Sequence, residues 1–157
     1  MKITLLVVGK TNEKSLIEAI DVFEKRIKHY ISFEIIVVPE LKNAKNMPIA
    51  QQKEKEAEAI LKHLQANDDV VLLDEKGVQY TSVGFSEFLA QKMNAGIKRI
   101  VFVVGGPFGF AQSVYDRSNA QLSLSKMTFP HQIVRLFFVE QVYRAMTIVK
   151  GEGYHHE

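Results

Sequence analysis

The sequence predicts an α/β protein built on an open, mostly parallel sheet with helices on both faces. Three observations point there. Short apolar runs rich in Val and Ile recur along the chain, each bounded by glycine, proline or charged residues, as strands buried on both faces are. Between them lie longer segments whose apolar residues repeat at three- and four-residue spacing, the pattern of amphipathic helices. Strand and helix alternate five times, the order that produces parallel strands joined by crossover helices.

The elements follow one by one. Residues 2–8 form a β-branched run closed by Gly9, a first strand; MKITLLVVGK has the look of a signal peptide, but it is short, lacks a small-residue cleavage site and runs on into a helical pattern. From Asn12 a helix buries Leu16, Ile20, Phe23 and Ile27 and leaves Glu18, Glu24, Lys25 and Lys28 to solvent. Residues 33–38 are a second strand, stopped by Pro39. Residues 41–47, with two asparagines and two lysines, read as a mobile surface loop, and Pro48 suits the first turn of the next helix. Ala57, Ile60, Leu61 and Leu64 are its buried stripe. Lys53, Glu54, Lys55, Glu56 and Glu58 read as its solvated face, with no binding motif.

Asp69 and Asp74 enclose VVLL, a third strand, and Glu75-Lys76-Gly77 turns the chain. Ser82 is the expected N-cap of a helix that presents Phe85, Phe88, Leu89 and Met93 to the core and ends at Gly96. Residues 100–104 are the fourth strand, 112–119 a short helix and 120–125 a less apolar fifth strand. Pro130 opens a last helix that runs to about Val149, before Gly151.

A chain of 157 residues that is 46% hydrophobic can build one domain with a real core. No apolar run approaches the roughly 20 residues of a spanning helix, so no membrane is expected. The sequence has no cysteine, which excludes disulfides and thiolate ligands and fits a cytoplasmic protein. With no H-E-x-x-H spacing either, no metal is expected. A net charge of +2 permits nucleic-acid contact without requiring it.

Ligands of open parallel sheets sit beyond the carboxyl ends of the strands. Three segments stand there: Leu73-Asp74, the turn Gly105-Gly106-Pro107-Phe108-Gly109, and residues 125–129. The glycines would let backbone groups approach a ligand closely, although a tight turn alone would also use them. The turn matches neither the dinucleotide fingerprint nor the phosphate loop, and Pro107 removes a donor, so a ligand without phosphates suits it better. Ser123, Ser125 and Thr128 could bond a ligand or cap the last helix; capping accounts for one of the three. That helix carries apolar residues around most of its circumference, with Arg135, Glu140, Gln141 and Arg144 as polar interruptions. Burial on a second side would come most simply from a second copy of the chain, so a homodimer is expected.

Together LLDEKG, FVVGGPFGF, LSLSKMTFPHQIVRLFFVEQVYRA and GYHH closely resemble the ribosomal RNA large-subunit methyltransferase H family, a branch of the SPOUT α/β-knot methyltransferases. The resemblance spans the chain and is strongest from Val70 onward. It implies a C-terminal trefoil knot, a homodimer, and transfer of a methyl group from S-adenosylmethionine to N3 of a pseudouridine in 23S rRNA on the assembled 70S ribosome. Carried over by motif, Leu73, Gly105, Leu124, Ser125, Lys126, Met127, Thr128 and Phe129 would surround the cofactor. His131, Arg135, Tyr154 and His155 match positions on the substrate side. Arg135, Tyr154 and His155 are the catalytic candidates: the tail would orient the base in the partner's pocket, and Arg135 would favour its anionic form. His156 stands where Arg or Lys is usual, and Phe108 replaces a commonly polar residue in the glycine turn. The competing readings are the same cofactor acting on another RNA, a non-enzymatic RNA- or nucleotide-binding module, and, last, a purely structural dimer.

Overall fold

The computed structural model describes residues 1–157. Its elements are β1 (Lys2–Val8), α1 (Lys14–Ile27), β2 (Ser32–Val38), a 3₁₀ turn (Ala44–Asn46), α2 (Ile49–Leu61), β3 (Asp69–Gln79), α3 (Ser82–Asn94), β4 (Arg99–Val104), α4 (Gln112–Arg117), β5 (Ala120–Ser123) and α5 (His131–Val149). The five strands form one sheet in the order β2-β1-β4-β3-β5, and every neighbouring pair is parallel. The expected α/β architecture is therefore present.

The two-residue period of the strands divides the core in two. Ile3, Leu5 and Val7 of β1, with Ile100, Phe102 and Val104 of β4, face one side and pack on Phe85, Leu89, Phe138, Val139 and Val142 from α3 and α5. Leu6 and Val8, with Val101 and Val103, face the other side and meet Ala57 and Ile60 of α2 and Val114 of α4. Strands apolar at every position thus have both faces covered, which is why they read as continuous runs rather than alternating ones.

Several expected boundaries shift, each for a local reason. The cap of α3 is Thr81, not Ser82: the Thr81 hydroxyl accepts from the Gly84 amide at 3.0 Å, while Ser82 donates to Gln141 at 2.9 Å and ties α3 to α5. The segment 41–47 contains the 3₁₀ turn, entered through Asn43 at φ 59°. β5 ends at Ser123 and α4 at Arg117.

The largest difference concerns β3. The expected turn at Glu75-Lys76-Gly77 exists, but as an excursion inside a longer strand, since Leu73 and Val78 both lie opposite Leu122 of β5. Asp74 shapes it by accepting from the Lys76 amide at 2.9 Å. Gly77 has a steric reason to be glycine, because a Cβ there would lie 2.6 Å from the backbone of Gln121 and Leu122.

Candidate functional site

The excursion within β3 and the C-terminal ends of β4 and β5 converge on a cavity of about 680 Å³. Leu73 supplies one wall from β3, the glycine turn after β4 a second, and the loop from β5 to α5 a third, with His131 and Val134 closing it from the first turn of α5. Of the residues expected around a cofactor, Leu73, Gly105, Leu124, Ser125, Met127, Thr128 and Phe129 all line this space. Lys126 does not; it is exposed on the same loop.

Each wall is held by its own chemistry. Gly105 lies against the buried Phe110, so that a Cβ on it would stand 2.8 Å from a ring carbon. The Gly106 amide donates to Glu56 of α2 at 3.0 Å, and the Gly106 carbonyl accepts from the Gly109 amide at 3.3 Å; Gly109 closes the turn at φ 80°, a conformation glycine adopts at little cost. Phe108 is half exposed and stands at the cavity rim. In the third wall, Ser123 donates to the Ser125 carbonyl at 2.9 Å and the Ser125 hydroxyl accepts from the Met127 amide at 3.0 Å. Neither serine caps α5, whose N-cap is Pro130 without a side-chain bond; both shape the loop instead.

Charge is arranged along one side. Asp74 and Glu75 line the cavity beside Lys53 and Lys76. Asp74 also accepts the hydroxyl of Tyr115, joining the tip of β3 to α4. Burial, that hydrogen bond and the charges of Asp74 and Glu75 push the Tyr115 phenol up to about 12, so it stays protonated and donates to Asp74.

The C-terminal tail folds onto the outer side of α5. Tyr154 donates to Glu140 at 3.0 Å, sets its ring edge-on to Tyr143 at 4.7 Å between centroids and carries the Arg144 guanidinium over its face at 4.8 Å. Burial and then the Glu140 bond hold the Tyr154 phenol above its ordinary value. Arg144 grips Glu140 through two nitrogens, at 2.6 and 3.1 Å, and reaches His155 Nδ1 at 3.2 Å. A guanidinium can only donate, so Nδ1 is the acceptor and Nε2 carries the ring proton. His155 Nε2 is buried with no hydrogen-bond partner in the chain. Neither Tyr154 nor His155 lines the cavity.

Arg135 goes elsewhere. It is 2% exposed and turns toward the end of β1, donating to the carbonyls of Val8 at 2.7 Å and Gly9 at 2.9 Å and to the Thr11 hydroxyl at 3.0 Å. Burial depresses its pKa, with the charge of Glu40 opposing. The guanidinium is committed to the chain's own backbone and is absent from the cavity lining. Replacing Arg135 by Met keeps the apolar stem but leaves those acceptors unpaired, so urea unfolding is expected to register a loss of about 2–3 kcal/mol.

Beside the cavity a more apolar groove of about 590 Å³ runs between α1, α3 and α5, lined by Phe23, Tyr80, Phe85, Leu136 and Phe137 among others. It shares Leu122, Ser123, Leu124 and Phe129 with the cavity, so the two spaces adjoin. Phe137, 39% exposed, leaves the outward side of α5 partly uncovered.

Three residues that shape this region were given no role in it by the sequence. Glu140 and Arg144, noted as polar interruptions of the last helix, had a usable signal as a charged pair at i,i+4. Glu56 had none, as one glutamate among several on α2.

A family profile described as "Predicted SPOUT methyltransferase" matches residues 1–155. Curated proteins named "Ribosomal RNA large subunit methyltransferase H" are similar over 100% of both chains: those of Parabacteroides distasonis and Phocaeicola vulgatus are 57% identical to this one, and that of Flavobacterium johnsoniae is 52% identical. The loop and turn segments that build the cavity lie within the matched span, and the chain belongs to the SPOUT methyltransferase family.

Proposed function

We propose that this chain is an S-adenosylmethionine-dependent methyltransferase that methylates N3 of a pseudouridine in 23S rRNA on the assembled ribosome, as a cytoplasmic homodimer. The observation that carries the reading is the meeting of seven expected cofactor residues, Leu73 and Gly105 with Leu124, Ser125, Met127, Thr128 and Phe129, around one cavity. The names of the full-length relatives support the same reading. The C-terminal knot belongs to this proposal too.

The residues present suit the cofactor. Leu73, Leu124 and Phe129 offer apolar surface to an adenine ring, and the glycine turn brings backbone within reach of its polar edge. Asp74 and Glu75 supply negative charge for a sulfonium and an amino group. Lys126 contributes through the backbone of the loop it shares with Ser125 and Met127. Bound there, S-adenosylmethionine supplies an activated methyl group on a positively charged sulfur.

The chain's own task is to hold the base in line with that methyl, exclude water and favour loss of the N3 proton. The tail is suited to the last of these through one donor. Tyr154 gives its only O–H to Glu140 and so holds the tail on α5, while His155 carries Nε2–H without a hydrogen-bond partner and Arg144 occupies Nδ1. Donation from His155 to a carbonyl oxygen beside N3 would stabilise the anion left when the N3 proton passes to water, without a general base. Arg135 supports this from a distance by fixing the end of β1. The adjoining groove and the uncovered side of α5 favour a second copy seated there, with the tail of each subunit serving the other's cavity.

The test is methyl transfer from labelled S-adenosylmethionine to ribosomes from a strain lacking the modification, mapped by primer extension. Label at one pseudouridine of 23S rRNA in whole ribosomes, and none in naked rRNA, is the expected result. No incorporation into either overturns the reading; incorporation into a different RNA assigns another substrate.

A further inference from the structure

Glu56 is the one acidic side chain of α2 that turns inward, while Glu54 and Glu58 remain exposed. Its carboxylate is half-buried and has no Lys, Arg or His nitrogen within ion-pairing distance; its hydrogen-bond partner is the Gly106 amide. Burying a carboxylate without a counter-charge is costly, and burial accordingly raises its pKa above the ordinary glutamate value, the Gly106 bond opposing. A surface helix gives such a side chain an easy route to water, yet it remains turned in and bonded to the 105–109 turn.

The geometry at Gly106 says what is held. One carboxylate oxygen accepts the Gly106 amide at 3.0 Å, and the other lies 2.6 Å from where a Gly106 Cβ would stand. The Gly106 carbonyl is also engaged, by the Gly109 amide. The peptide groups on both sides of Gly106 are thus fixed, and with them the turn of residues 105–109, every residue of which lines the cavity. Lys53, one turn earlier on α2, lines the same cavity, so this end of the helix abuts the ligand space.

We infer that Glu56 is a positioning residue of the methyl-donor pocket: by anchoring the Gly106 amide it keeps the 105–109 turn in the form that admits the cofactor. The inference rests on the function proposed above. Glu56 touches neither donor nor base and acts through the turn.

Two variants test it. Glu56→Ala removes the acceptor; Glu56→Gln keeps a carbonyl oxygen at the same place and removes only the charge. Calorimetry with S-adenosylmethionine is expected to show Kd raised about 10-fold in the alanine variant and close to that of the unsubstituted protein in the glutamine variant. Hydrogen exchange at the Gly106 amide, without cofactor, should accelerate about 10-fold in E56A and stay slow in E56Q, with thermal unfolding midpoints of all three proteins alike. Unchanged affinity and exchange in E56A overturn the inference, as does an E56Q variant as impaired as E56A, which would assign the effect to charge. If the unsubstituted protein binds no S-adenosylmethionine, the proposed function fails in its own right, and an E56A exchange rate equal to that of the unsubstituted protein would still refute the anchoring.

Discussion

Removal of residues 153–157 is expected to lower methyl transfer to ribosomes by about 100-fold or more while leaving affinity for S-adenosylmethionine unchanged. The two readouts separate because the tail lines no part of the cavity, yet carries His155, the donor in the function proposed above. Glu140 receives the Tyr154 hydroxyl and so seats the tail on α5, and Arg144 both stacks on the Tyr154 ring and bonds His155 Nδ1. In that reading loss of the tail removes stabilisation of the base anion and spares the methyl-donor site. A mixing experiment extends the test. For the homodimer proposed above, a tailless subunit combined with one whose pocket is disabled should regain about one quarter of the full activity, because half the dimers would be mixed and each mixed dimer would have one intact tail-and-pocket pair. Full activity of the tailless protein would remove the tail from the mechanism; no recovery on mixing would place its action within one subunit.

Gly105→Ala is the second large effect. The added Cβ would stand 2.8, 3.1 and 3.2 Å from three ring carbons of Phe110. That ring is 6% exposed and set edge-on to Tyr115 at 5.8 Å, so the space open to it is the cavity that it lines. Either the turn moves into the cavity or the ring distorts the packing beneath. S-adenosylmethionine affinity is expected to fall at least about 10-fold and stability by about 1–3 kcal/mol, the usual cost of overpacking. Gly105→Ala combined with Phe110→Leu tests the cause, since trimming the ring should restore most of the affinity. A single variant that binds normally would show that the turn is more compliant than its contacts indicate.

Much of this was legible in the sequence because it rests on local pattern. The strands announce themselves as unbroken apolar runs because both their faces are covered, and the helices as three- and four-residue repeats because one face of each is not. Leu73, Gly105 and the 125–129 loop could be named because ligands of parallel sheets gather at the carboxyl ends of strands, and those ends can be counted along the chain; Leu124 entered through the family resemblance. The shift of the cap from Ser82 to Thr81 is a tie between adjacent hydroxyls, which only the distance to Gly84 resolves.

What the sequence did not show has a different cause. Arg135 and Glu56 both read as polar residues on helices, one as a catalytic candidate and the other as part of a solvated face, and the bonds that each makes were not legible. Their partners are backbone groups distant in sequence: the carbonyls of Val8 and Gly9 for Arg135, and the Gly106 amide for Glu56. Every residue offers the same backbone donor and acceptor, so nothing in the letters marks which one a charged side chain will meet. The excursion in β3 was hidden for a related reason, since the return of Val78 to Leu122 depends on where β5 lies. The sequence by itself determined the class of fold, the strand ends that carry the cavity and the family, because these follow from periodicity and short motifs. The strand order β2-β1-β4-β3-β5, the inward turn of Glu56, the burial of Arg135 and the seating of the tail on α5 were decided only by the tertiary structure, because each is a long-range pairing between groups that local composition leaves equivalent.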